Sequence, residues 1–280
     1  MIIKSDWHIH SEASYDASNP LSTIVENAKK QGLEHIGITD HLNFNDNKFI
    51  GDLKNSVKSV KEMQKDNPFL VLGVELTPVE LPEYEYIKGN GGSREGYVPP
   101  VQDKPYGIEL GMSREELMSL GVRYAIGAAH WRVDVPNGRA LKTDLDASIR
   151  DWYRQQMWLA CDDRVTILGH PWYNGIGLWY QDFSVIPHSM NLDIAAALKE
   201  NKKHVECNSQ FFYSKYSTEK FRHQYAEFLR ELFEMGIPLT YGSDAHHEYS
   251  DLREKIEDYL SAAGFVEGDI VGLSENDLWS

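Results

Sequence analysis

Eleven histidines stand among the 280 residues, and six of them fall in short motifs accompanied by carboxylates. The first motif, Asp6-Trp7-His8-Ile9-His10, sets two histidines at i and i+2, so that in a strand both rings project from one face. Asp16 follows in the outgoing segment. The series continues with Thr39-Asp40-His41, Gly73-Val74-Glu75, Ala129-His130, Gly169-His170-Pro171 and Gly242-Ser243-Asp244-Ala245-His246. Imidazole and carboxylate are ligand types suited to Zn, Fe or Mn. A structural zinc site needs only four ligands, usually with cysteine among them. Nine candidate ligands therefore imply more than one ion, and a catalytic rather than a structural role. A single His-x-His, or one histidine at a strand end, carries little weight; the joint pattern carries the argument.

Stepping outward along the chain, each motif ends a short apolar run that is followed by an amphipathic stretch. Strands are predicted over Ile2–His10, Ile36–Asp40, Phe69–Glu75, Tyr124–Ala129, Val165–Gly169, His204–Asn208 and Pro238–Gly242. Helices are predicted over Leu21–Gln31, Phe49–Lys65, Ser113–Leu120, Asp144–Ala160, Leu192–Glu200, Thr218–Met235 and Asp251–Ala262, with Ser113 and Glu116 spaced as a capping box. Alternating strands and helices argue for a parallel sheet covered by helices. Seven units suggest a closed or nearly closed barrel, with an open doubly wound sheet as the alternative. In a barrel the C-terminal strand ends converge on one mouth, where active sites form. The whole span 1–280 reads as one domain, interrupted by long connections at 77–112 and 171–190 that are rich in Pro, Gly and aromatic residues.

The charge balance, 28 basic against 43 acidic residues for a formal net charge of -15, repels nucleic-acid backbones and anionic lipid. No long nucleic acid and no membrane is expected as a partner, and an anionic substrate must be drawn in by bound cations. The chain reaches a histidine before any apolar stretch of signal-peptide length, and no run approaches the ~18 apolar residues of a membrane span. Cys161 and Cys207 are far apart and form no CxxC pair. The expected setting is the cytoplasm, with both thiols reduced. No GxGxxG or P-loop pattern points to a nucleotide cofactor, and oligomeric state is not encoded in these motifs.

Taken in order, DWHIH, ITDH, GVE, GAAHW, GHPW and GSDAH resemble the PHP (polymerase and histidinol phosphatase) family of metal-dependent phosphoesterases across almost the whole chain. The resemblance implies a distorted seven-stranded (β/α)7 barrel holding two to three divalent ions. Motif by motif, it implies His8, His10, Asp16, His41, Glu75, His130, His170, Asp244 and His246 as ligands. Asp16 stands where relatives often carry histidine, which bears on how tightly a third ion is held.

Three carboxylates against three divalent ions leave a cationic site, suited to a phosphate dianion. Metals lower the pKa of a shared water toward ~7 and so supply hydroxide at neutral pH. Glu75 is the expected bridging ligand because a carboxylate has two oxygens to share. Asp244 or His246 is a candidate to protonate the leaving group, and Arg132 is a candidate phosphate clamp, guanidinium matching phosphate bidentately. Asp40 is a candidate partner for His41, and Trp131, Trp172 and Trp179 are candidates to stack on a substrate ring. Glu206 and Asn208 occupy a strand end without an assigned role.

The expected activity is hydrolysis of a small-molecule phosphomonoester. Histidinol phosphate is named by the family resemblance alone. Amidohydrolase-like cleavage at carbon, phosphodiester cleavage of nucleotides or short oligonucleotides, and a catalytically silent metal-binding protein are the alternatives.

Overall fold

The computed structural model describes residues 3–136, 144–175 and 177–280. Its elements run β1 (Ser5–Ile9), α1 (Leu21–Lys30), β2 (His35–Ile38), β3 (His41–Leu42), α2 (Asn47–Gln64), β4 (Leu70–Leu76), β5 (Val79–Glu80), α3 (Leu81–Gly89), β6 (Ile108–Glu109), α4 (Arg114–Leu120) and β7 (Tyr124–Gly127). They continue with α5 (Leu145–Cys161), β8 (Ile167–Leu168), α6 (His188–Glu200), β9 (His204–Asn208), α7 (Ser209–Tyr213), α8 (Glu219–Glu234), β10 (Leu239–Gly242) and α9 (Arg253–Ala262).

Seven strands pair in the order β1-β2-β4-β7-β8-β9-β10, every neighbour parallel, with β3 attached to the end of β4. The sheet closes only at its C-terminal rim. There Ile9 and Ala245 form a single parallel bridge, the Asp244 amide donates to the His8 carbonyl (2.8 Å), and the His10 amide donates to the Ala245 carbonyl (3.1 Å). Below that rim, the Asp6 carboxylate takes over the closure: it accepts from the Ser243 amide (3.0 Å), the His8 amide (3.2 Å) and the Tyr249 hydroxyl (3.1 Å). The result is the distorted (β/α)7 barrel that the family resemblance implies, and not the open doubly wound sheet that alternating strands and helices also allow.

Two packed regions hold it. The barrel interior is filled by Trp7, Tyr124, Ile126, Ala128, Ile167 and Leu273, Leu273 being supplied by the C-terminal segment. Tyr124 lies across the barrel and donates its hydroxyl to the Trp7 carbonyl (2.7 Å). A Cβ on Gly37 would sit 1.7 Å from that hydroxyl, so the glycine in β2 makes room for the tyrosine in β7. The larger core lies between strands and helices. Along α8 the buried residues Phe221, Tyr225, Ala226, Phe228, Leu229 and Leu232 form one helical stripe, and burial of each large apolar side chain stabilises by about 1.5–3 kcal/mol.

Local signals explain most boundaries. Asp46 accepts from the Phe49 amide at the start of α2 (2.9 Å), which sets α2 two residues earlier than the apolar pattern predicts. Ser113 and Glu116 form the reciprocal capping box expected at α4. The first strand is shorter than predicted, beginning at Ser5, and the Ile2 end of that prediction lies outside the described residues. The proline-rich connection 77–112 is not wholly irregular. It contains α3, whose Pro82 occupies the first turn where no amide partner is needed, and the antiparallel β5–β6 pair. The described part of the connection 171–190 is built of turns and a short 3-10 segment up to α6, which begins at His188, four residues before the predicted start. No helix among the described residues is long and apolar enough to cross a membrane.

Candidate metal centre

The predicted ligands sit in or just beyond the C-terminal ends of barrel strands, apart from Asp16 in the loop after β1, and the barrel brings all nine together. Glu75, near the end of β4, is the hub. Its Oε1 lies 3.0 Å from His170 Nε2 and 3.3 Å from His130 Nε2. Its Oε2 lies 2.6 Å from His41 Nδ1 and 3.5 Å from both His8 Nε2 and His10 Nε2. Asp244 Oδ1 lies 3.3 Å from His10 Nε2, 3.6 Å from His8 Nε2 and 3.6 Å from His246 Nδ1. Asp16 Oδ2 joins from the loop after β1, 3.4 Å from His41 Nε2 and 3.7 Å from His246 Nε2.

Among the described residues three overlapping ligand groups result: His8, His10 and Glu75; His41, Glu75 and His130; and His10, His41 and His246. Most of these contacts fall between 3.0 and 3.6 Å, close to the roughly 3.3 Å between neighbouring ligands in a tetrahedral shell with bonds of about 2.0–2.1 Å. Buried ring nitrogens of the cluster also lack partners: His10 Nδ1 and His170 Nδ1 make no hydrogen bond, although such groups are ordinarily satisfied. The donor set and these orphaned atoms fit divalent ions.

The local electrostatics say the same. Burial alone would push the Glu75 carboxyl up, yet His41, His130 and His8 hold it well below the ordinary range. Asp244 is likewise held low against its burial, chiefly by His8 and by hydrogen bonding to His10. Burial and the neighbouring His41 push His10 down to about 3. His41 is instead carried up to about 10, the pull of Glu75 and Asp16 outweighing burial. Such opposed shifts within one cluster mark charges confined at short range.

Other side chains hold the ligands from behind. Thr77 Oγ1 lies 3.0 Å from His130 Nδ1 and donates to Asn43 Oδ1 (2.6 Å), which leaves His130 Nε2 facing Glu75. Asn208 Nδ2 donates to Asp244 Oδ2 and to Glu206 Oε1 (3.2 Å each). Glu206 contacts His8 Nδ1 (2.7 Å) and accepts the His170 amide (2.5 Å). Spacing along the chain drew attention to Glu206 and Asn208 but gave no role, and it gave no signal for Thr77 or Asn43. Two of the clustered residues, His170 (φ 22°) and Asp244 (φ 54°), adopt the left-handed conformation. For a non-glycine residue this costs about 1–3 kcal/mol and concentrates at functional sites.

Some expectations resolve differently. Arg132 is buried and clasps Asp134 bidentately, Nε to Oδ1 at 2.9 Å and Nη2 to Oδ2 at 2.7 Å. The edge that would clasp a phosphate is thus filled by a carboxylate of its own loop. Asp40 does not hold His41; it accepts the Ser11 amide and hydroxyl (2.7 Å each) and so pins the loop after β1. Trp172 and Trp179 are fully buried, their ring nitrogens donating to Asn191 Oδ1 (2.9 Å) and the Trp172 carbonyl (2.8 Å), which makes them core. Trp131 is partly buried and stacks on Phe44 (5.6 Å, 11°). His35, His188, His204, His223 and His247 belong to none of the ligand groups. Cys161 and Cys207 are both free thiols.

Residues 6–268 match the PHP domain model, so the chain belongs to the PHP domain family. Among solved structures it is similar to the histidinol phosphate phosphatase of Lactococcus lactis subsp. lactis Il1403, a complex with Zn, L-histidinol and phosphate. That match has a TM-score of 0.66 and 18% identity and covers 99% of each chain. At that identity the likeness concerns the fold. A zinc-bound IolI protein is more distant, with a TM-score of 0.42 and 13% identity over 95% of this chain and 87% of that one. No curated protein sequence matches this chain.

Proposed function

We propose that this protein is a metal-dependent phosphoesterase that hydrolyses small-molecule phosphomonoesters. The observation that carries the proposal is Glu75, one buried carboxylate whose two oxygens face separate sets of histidines, His130 and His170 on one side and His8, His10 and His41 on the other. That is the arrangement of a ligand shared between two ions, and membership of the PHP domain family supports the same reading.

His8, His10, His41, Glu75, His130, His170, Asp244, His246 and Asp16 are the residues that would hold two to three divalent ions, drawn from Zn, Fe and Mn. Such ions supply an activated water nucleophile near neutral pH and charge for the phosphoryl oxygens. The protein's own groups do the rest. His8, His10, Glu75 and Asp244 are fully or almost fully buried, whereas the side chains of Asp16 (32% exposed), His246 (24%) and His130 (19%) form the open edge. Substrate approaches across that edge. When only two ions are held and His246 Nε2 is not a ligand, His246, with its Nδ1 2.9 Å from the Asp244 carbonyl and its ring in reach of solvent, is suited to pass a proton to the leaving alkoxide. Asp244, held low by its neighbours, stays an anion and orients His10.

The test is phosphate release from a panel of metabolite monoesters, histidinol phosphate included, by protein reconstituted separately with Mn, Fe and Zn. Turnover of monoesters above phosphodiesters, lactones and cyclic amides is expected. Turnover confined to lactones or amides would move the protein to hydrolysis at carbon, and preference for diesters would make it a phosphodiesterase.

A further inference from the structure

We infer that Glu206 is the positioning residue of this site: it holds His8 and His170 in ligating geometry without itself facing the ion cluster. The inference rests on the metal-centre reading above. Glu206, in β9, is 1% exposed, and its two oxygens are used separately. Oε1 lies 2.7 Å from His8 Nδ1 and also accepts from Asn208 Nδ2 (3.2 Å). Oε2 accepts the His170 backbone amide (2.5 Å). A carboxylate only accepts, so His8 Nδ1 carries a proton, and Nε2, which faces His10, Glu75 and Asp244, is the atom left to ligate. The second contact fixes a backbone amide whose residue has φ of 22°, a conformation that needs outside support. One buried side chain thereby sets the tautomer of one ligand and the backbone of another, 36 positions away in the chain.

The neighbouring strand makes room for this arrangement. A Cβ on Gly242 in β10 would lie 1.8 Å from Glu206 Oε1 and 2.7 Å from His8 Cβ. Gly242 has no positive φ, so its role is the close approach and not backbone freedom. An alanine there has no space unless the Glu206 carboxylate or the His8 ring moves.

Glu206→Gln separates the positioning role from simple space-filling. The amide keeps the volume but has one acceptor oxygen for the three N–H groups, from His8, Asn208 and His170, that the carboxylate accepts. Either the His170 amide loses its partner, or His8 takes the tautomer with a protonated Nε2, which cannot ligate. Zinc dissociation constants measured by chelator competition should rise roughly 10- to 100-fold in Glu206→Gln, the range for outer partners of metal ligands, with the far-ultraviolet circular dichroism unchanged. Gly242→Ala should weaken zinc to a similar degree, and the double variant should lose little more than either single one, because both disturb the same contact.

An unchanged zinc affinity in folded Glu206→Gln overturns the inference, as does full additivity in the double variant. Should Gly242→Ala fail to fold, Glu206→Gln alone decides. Wild-type protein that binds no divalent ion overturns the metal-centre reading and this inference with it, an outcome separate from equal binding by wild type and variant.

Discussion

Glu75 has nowhere to go but among histidines. It is fully buried, and five imidazoles lie within 3.5 Å of its oxygens. Replacing it with glutamine keeps the shape and removes the charge that two ions would share. Glu75→Gln is expected to lose more metal affinity than the roughly 10–100-fold typical of outer partners, read by elemental analysis of the purified variant together with phosphate release; full metal content with wild-type turnover would remove Glu75 from its bridging role.

Arg132 carries a prediction of the opposite kind. Its fork is occupied by Asp134, so Arg132→Ala with metal content held constant should leave kcat/KM within about threefold of wild type while lowering stability. A loss of two orders of magnitude would show that Asp134 yields the guanidinium to phosphate during turnover. The ligand types at this scale were readable in the sequence because imidazole and carboxylate occur at strand ends with little else to explain them. The partner of Arg132 was not, because a guanidinium fits carboxylate and phosphate equally well and only the fold says which lies beside it.

Elements set how firmly those residues are held. β1 carries His8, His10 follows directly after its last residue, and β10 leads into Asp244 and His246 across the closing rim. Behind the rim, α8 contributes Phe221, which is fully buried and stacks on Tyr180 at 4.8 Å. Phe221→Ala should cost about 3–5 kcal/mol of folding stability, measured by urea denaturation, with an unchanged transition arguing that the helix is not packed as described. Inside the barrel, Gly37→Ala should also destabilise, by about 1–3 kcal/mol from overpacking, because the added Cβ would meet the hydroxyl of the fully buried Tyr124; a stability equal to wild type would show that the interior relaxes. Helix and strand positions were largely evident from apolar periodicity and capping residues. The exceptions have plain causes. α3 lies in a proline-rich stretch whose single well-placed Pro82 is compatible with a first turn, and α6 starts early because Pro187 precedes it.

Across the whole molecule, an acidic chain of net charge -15 encloses a cluster suited to cations. Ions that bind only the folded state stabilise it by mass action, worth about 4 kcal/mol at a free concentration roughly 1,000-fold above the dissociation constant. Protein loaded with zinc should therefore melt several degrees above protein treated with a chelator. Superimposable melting curves would mean that the fold selects no ion.

The amino-acid sequence by itself determined the repeating strand–helix units, the parallel sheet and the roster of ligand types, because periodicity and side-chain chemistry are local properties that survive in one dimension. Tertiary structure alone decided which atoms meet: that Glu75 divides its oxygens between two histidine sets, that Asp6 completes the closure of the barrel, and that Glu206 stands behind His8 while Gly242 clears its place. Hydrogen bonds and ligand contacts act over about 3 Å, and residues as far apart as His8 and Glu206 reach that range only after seven strands have closed into one barrel.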